Sequence, residues 1–213
     1  MDLRQRPQGV IVIKFLLSLM KEKILREFKE SISVKEKFIE GHADTIIEVS
    51  KVIANTFNEG NKVLLFGNGG SAADASHIAA EFINRFKRER PGLPAIALNT
   101  DIAVITSIAN DYDYSEVFAR QLKSLATDGD VVIAITTSGH SPNVLKAMEV
   151  ARRKKLKSIV FTGSKGEKLA SKATYSFVVP SDNTARIQET HITLGHVLCL
   201  MVEEILFEEP RKK

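Results

Sequence analysis

A chain of 213 residues with 44% hydrophobic and 26% charged side chains carries enough apolar mass for one α/β core, which excludes a disordered or fibrous protein. Its single cysteine, Cys199, excludes an internal disulfide framework and fits a reducing cytoplasm. The net charge of +4 is mild, and its runs Arg152–Lys155 and Arg211–Lys213 read as a solvated helix end and a terminal tail, so nucleic acid is not an expected partner.

The segment Val10–Met20 is apolar and follows basic residues, yet it is too short to span a bilayer. Lys14 interrupts it and no small-residue cleavage site follows, so it is not read as a signal peptide and no membrane is expected. Met20 opens an ordinary amphipathic helix. Translation is expected to begin there, with residues 1–19 outside the native chain. Residues 21–59 are helical by period: Ile24, Phe28 and Ile32, then Phe38, Ile39, Ile46, Val52, Ile53 and Phe57 recur at helical steps. Ser33 with Glu36 forms a capping box, which predicts one short and one long helix, and Gly60 ends the second. Two such helices need a surface to bury themselves on, either the core or a second subunit.

Strands are predicted at Lys62–Phe66, Pro94–Leu98, Asp130–Thr136, Lys157–Thr162 and Thr174–Val179. Helices are predicted at Ser71–Phe86, Ala103–Ala109, Glu116–Ala126, Ser141–Lys155, Lys168–Ala173 and Arg186–Phe207, with Pro142 in a favoured first-turn place. Strands that alternate with helices predict an α/β fold, its parallel sheet covered on both faces. No repeat, low-complexity tract or linker interrupts the chain, so residues 35–213 form a single domain and residues 1–34 a helical N-terminal extension.

Gly67-Asn-Gly-Gly-Ser71 stands where the first strand meets its helix. Glycine lets a backbone approach an anion, and the free N–H groups of a helix start favour negative charge. Thr136-Thr-Ser-Gly-His-Ser141 presents hydroxyls at the end of the third strand, again just before a helix. One such loop is an ordinary N-cap as readily as a site; two together point to a phosphorylated small molecule. The glycines lack dinucleotide spacing and no Gly-Lys-Ser/Thr follows, which argues against nucleoside triphosphates. His77 and Glu81, four apart, share a helix face, as metal- or proton-sharing pairs do and as many surface pairs also do. Gln188 and His196 differ by eight residues, a rise of about 12 Å, so meeting one ion requires full stretch or a second chain.

The motifs Phe66-Gly-Asn-Gly-Gly-Ser-Ala72 and Ile135-Thr-Thr-Ser-Gly-His-Ser141 resemble the two phosphate-sugar loops of the sugar isomerase (SIS) fold. With Arg90-Pro-Gly-Leu-Pro-Ala-Ile-Ala-Leu98, Ala109-Asn-Asp111 and Ala185-Arg-Ile-Gln-Glu-Thr-His191, the chain is similar to the phosphoheptose isomerases, from about residue 35 to 207. The resemblance implies a three-layer α/β/α sandwich with a five-stranded parallel sheet, assembled as a homotetramer. It implies conversion of sedoheptulose 7-phosphate to D-glycero-D-manno-heptose 7-phosphate through an enediol. It also implies Zn2+ held by His77, Glu81, Gln188 and His196, with Glu81 as base and His196 as acid partner. Substrate contacts carried over are Asn68, Gly69, Gly70, Ser71, Glu81, Asn110, Asp111, Thr136, Thr137, Ser138, Ser141 and Gln188.

His191 matches no family ligand and reads as a helix-face histidine with a structural hydrogen bond. Ala185 stands where part of the family carries aspartate, so an active chain does without that aspartate in its chemistry. The same fold offers an alternative. DiaA-like proteins, which bind the replication initiator DnaA, are similar to this chain around Asn84-Arg-Phe86, Arg90-Pro91 and Leu98-Asn-Thr-Asp101. Initiator binding needs neither Glu81 nor His196, and the presence of both favours the isomerase.

Overall fold

The computed structural model describes residues 7–207, with side chains from Leu16 onward; Arg211–Lys213 and the opening residues of the segment expected to precede the native start lie outside them. Helix α1 spans Pro7–Asn58 as one unbroken rod, where two helices were expected. Ser33 and Glu36 do not cap a new helix, because no glycine or proline interrupts the helical period around them. A break would strand up to four N–H and four C=O groups, of which a capping box satisfies two N–H groups. The boundary drawn between residues 34 and 35 falls inside this rod. From Phe38 onward α1 buries Phe38, Ile46, Val49, Ile53 and Phe57, whereas Leu17, Met20, Ile24, Phe28 and Ile32 form an exposed stripe. Gly60, at φ +77°, closes the rod: its N–H donates to Phe57 O and that of Asn61 to Thr56 O, both at 3.0 Å.

The parallel strands are β1 Val63–Gly67, β2 Ala95–Ala97, β3 Val131–Thr136, β4 Lys157–Gly163 and β5 Tyr175–Val179, in the spatial order β2-β1-β3-β4-β5. Between and after them run α2 Gly70–Ile83, α3 Ile102–Asp111, α4 Val117–Leu125, α5 Pro142–Arg153, α6 Glu167–Ala170 and α7 Thr184–Phe207. Both β1 and β3 are apolar and buried along nearly their whole length, as strands covered on two faces must be. Val63, Leu65, Val131, Ile133 and Ile135 pack with α1, α2 and α7. The alternate residues Leu64, Phe66, Val132 and Ala134 pack with α3, α4 and α5. By length and composition α7 would suit a membrane span, but Leu194, Leu198 and Val202 lie in the core.

From β1 the chain steps to β2 on one side and returns to β3 on the other, so strand order reverses between β1 and β3. Loops leaving the carboxyl ends of those strands stand beside the switch point, the usual ligand crevice of an open parallel sheet.

Candidate active site

Strands β1 and β3 pair in register from Val63↔Val131 to Gly67↔Ile135, so the glycine loop and the hydroxyl loop leave the sheet side by side. Gly67 is required by this closeness: a Cβ there would sit 2.7 Å from the carbonyl oxygens of Ile135 and Ser71. Gly69 takes φ +54° and starts α2 without a side-chain cap, leaving the helix start open to an anion. Ser141 starts α5 in extended geometry, also without a side-chain cap. Across the crevice the amides of Asn68 and Asn143 exchange two hydrogen bonds, at 2.9 and 2.8 Å, and the Tyr114 hydroxyl donates to Asn68 Oδ1 at 3.2 Å. These bonds fix one loop against the other.

Beyond the cradle, α2 brings His77 and Glu81 to one face, with Nε2 and Oε1 3.2 Å apart. From α7, His196 Nε2 meets His77 Nε2 at 2.9 Å. The helices come this close because residue 195 is glycine: a Cβ there would lie 2.5 Å from Ile78 Cδ1 on α2. Two imidazole nitrogens so near each other share a proton or a common cation. His77, Glu81 and His196 offer ligand atoms all within 4.8 Å of one another, and two imidazoles with a carboxylate are a donor set that fits zinc. The Gln188 amide rests against Gly70 at the start of α2, where any Cβ would strike it.

Asp74 lies one turn before His77. Its Oδ2 is buried without a hydrogen-bond partner among the described residues. Burial pushes its carboxyl from the ordinary 3.8 up to about 6, opposed by the charge of His77. A raised folded-state value favours the neutral acid, so stability is lost as pH rises from about 3.8 to about 6. Asp74→Asn is therefore expected to gain about 1 kcal/mol at pH 7.5, after discounting for solvent at a partly exposed residue. Urea unfolding of both proteins at several pH values checks this, with the gap narrowing toward pH 4.

A profile of the SIS domain family matches residues 28–163. Over 194 residues the chain is 64% identical to the phosphoheptose isomerase of Thermodesulfovibrio yellowstonii, covering 91% of this chain and 96% of that one. The phosphoheptose isomerase of Aquifex aeolicus is 53% identical over 189 residues, covering 89% of this chain and 99% of that one. The solved structure of a phosphoheptose isomerase from Francisella tularensis superposes with a TM-score of 0.83 at 38% identity, over 87% of this chain and 98% of that one. This chain belongs to the phosphoheptose isomerase family.

Of the residues expected at a phosphoheptose isomerase site, His77, Glu81 and His196 converge within one protomer. Asn68, Gly69, Gly70 and Ser71 form the first wall of the cradle, and Thr136, Thr137, Ser138 and Ser141 the second. The hydroxyls of Thr137 and Ser141 have no partner among the described residues, whereas Thr136 Oγ1 accepts the N–H of Gly139 at 3.2 Å. Asn110 and Asp111 sit exposed at the end of α3, bonded to each other at 2.9 Å and to neither loop. His191 is fully buried beside Phe161, its ring close to the Thr162 backbone but without a well-aligned hydrogen bond to either nitrogen among the described residues. Burial, against the pull of the Thr162 backbone, lowers its pKa to about 4, so it is neutral at pH 7. Asn143, Tyr114 and Asp74 escaped the sequence reading; for the first two the signal is a partner 75 and 46 residues away.

Proposed function

We propose that this chain interconverts sedoheptulose 7-phosphate and D-glycero-D-manno-heptose 7-phosphate through an enediol. One observation carries the reading: a carboxylate on α2 and an imidazole on α7 meet beside a two-loop anion cradle. The cradle holds the phosphate through the open starts of α2 and α5, leaving the other end of the sugar to the catalytic pair. In the ketose, Glu81 takes a proton from C1 while His196, through the ring nitrogen not committed to His77 or to a cation, gives one to the C2 carbonyl oxygen, which forms the enediol. Glu81 then returns its proton to C2 and His196 takes one from the C1 hydroxyl, which leaves the aldose. Atoms and protons balance, and no external oxidant or reductant is needed.

His77, Glu81, Gln188 and His196 would hold a zinc ion. When bound, it supplies Lewis-acid polarisation of the sugar carbonyl. We further propose a homotetramer working in the cytoplasm, its aldose product serving lipopolysaccharide heptose. The exposed apolar stripe of α1 supports assembly, and the lone buried Cys199 supports a reducing compartment.

Purified protein given sedoheptulose 7-phosphate is expected to form the aldose phosphate, followed by NMR. Chelation should abolish turnover and added zinc restore it. Zinc-loaded protein that shows no turnover but binds DnaA tightly would replace this reading with initiator binding.

A further inference from the structure

The segment 84–92 leaves the end of α2 and contains groups that the reaction above does not use. The backbone N–H groups of Phe86, Lys87 and Arg88 donate to the Glu203 carboxylate at 2.8, 3.0 and 3.3 Å. Arg90 Nε donates to the same carboxylate at 2.8 Å, and both side chains of this pair are only 1% exposed. The Arg90 guanidinium also donates to the carbonyls of Phe82 at 2.8 Å and Glu81 at 2.9 Å, tying off the last turn of α2. One clasp thus secures the helix end that carries Glu81 and the backbone of Phe86.

The Phe86 ring lies nearly parallel on the His196 imidazole, with centroids 5.6 Å apart and planes 18° apart. His77 meets the same imidazole edge-on at 5.0 Å and 66°. The outer torsion of a histidine is soft and roughly two-fold, so its helix alone does not fix the ring plane. A flat aromatic on one face and a second ring at the edge fix the plane of the imidazole, and the 2.9 Å contact with His77 Nε2 selects the flip that turns Nε2 toward His77.

We propose that Phe86 is a positioning residue for the catalytic pair: held by Glu203, its ring sets the plane of the His196 imidazole against His77 and Glu81. The effect on turnover rests on the isomerase reading; the effect on the imidazole does not. Phe86→Leu keeps apolar bulk but loses the flat face, and Phe86→Tyr keeps the face. Phe86→Leu is expected to lower kcat about tenfold with KM for sedoheptulose 7-phosphate within about twofold, since misplacement of a reacting group acts on the chemical step. Phe86→Tyr is expected to restore most of kcat. A crystal structure of Phe86→Leu should show the His196 ring rotated away from His77 or split between two rotamers. An unmoved ring with unchanged kcat would overturn the proposal, as would equal losses in both variants or a rise confined to KM. If the wild-type protein turns nothing over, the isomerase reading fails on its own, and the position of the ring in Phe86→Leu still decides the proposal.

Discussion

Glu81→Gln is expected to lower kcat by at least about a hundredfold, the lower range of what a positioned general base contributes. Glutamine keeps the length and volume of the side chain, so the packing of α2 is undisturbed. It does not accept a proton from carbon. KM should move little, because the loops proposed to hold the phosphate, Asn68–Ser71 and Thr136–Ser141, do not include Glu81. The carboxylate also faces His77 at 3.2 Å, so the variant loses that pairing as well. With a side chain about a quarter exposed, at 24%, this second loss is small for folding. Steady-state kinetics beside a melting curve separates the two effects. A fully active Glu81→Gln would mean that another group lifts the proton.

Glu203→Ala is expected to destabilise the fold by about 3–5 kcal/mol, the range for removing one partner of a buried ion pair. The carboxylate accepts from three backbone N–H groups and from Arg90, at the foot of α7 and out of water. Burial alone would raise its pKa; the N–H groups of Lys87, Phe86 and Arg88, together with Arg90, outweigh that and hold it below the ordinary 4.5. A lowered folded-state value means that the contribution is present above about pH 4.5 and lost as pH falls through the folded value. Deleting the carboxylate leaves a buried guanidinium and several amides without partners. Replacing Arg90 and Glu203 together by methionine and leucine should cost less than Glu203→Ala alone, because no charge is then stranded. Urea unfolding at pH 7.5 and fixed protein concentration measures both. A loss under about 1 kcal/mol for Glu203→Ala would show that water replaces the carboxylate at little cost.

The sheet was legible because β1 and β3 are short unbroken apolar runs, the composition of strands buried on both faces, and each runs into turn residues. The cradle was legible for a local reason too: glycines and hydroxyls occur where a strand ends and a helix begins. His77 and Glu81 could be paired by helical spacing, but the spacing alone did not distinguish a site from a surface contact. His196 entered through resemblance, since its meeting with His77 spans 119 residues and depends on how closely two helices pack. The end of α2 shows the same limit. Periodicity carried it to Phe86, whereas the helix stops at Ile83 because the amides beyond turn to Glu203, a partner no local pattern reveals. At Ser33 the error ran the other way: a sound capping signal was present with nothing to force a break.

Position 195 shows how little material holds the two imidazoles within reach of each other. Ile78 is buried, and a Cβ at 195 would lie 2.5 Å from its Cδ1 and 2.6 Å from its Cγ1, so one of the two groups must shift if a methyl is added. Alanine at 195 would act as a wedge, prising two rods apart at the one height where a 2.9 Å nitrogen–nitrogen gap must close. The meeting of the two rings is therefore hostage to an atom that residue 195 lacks.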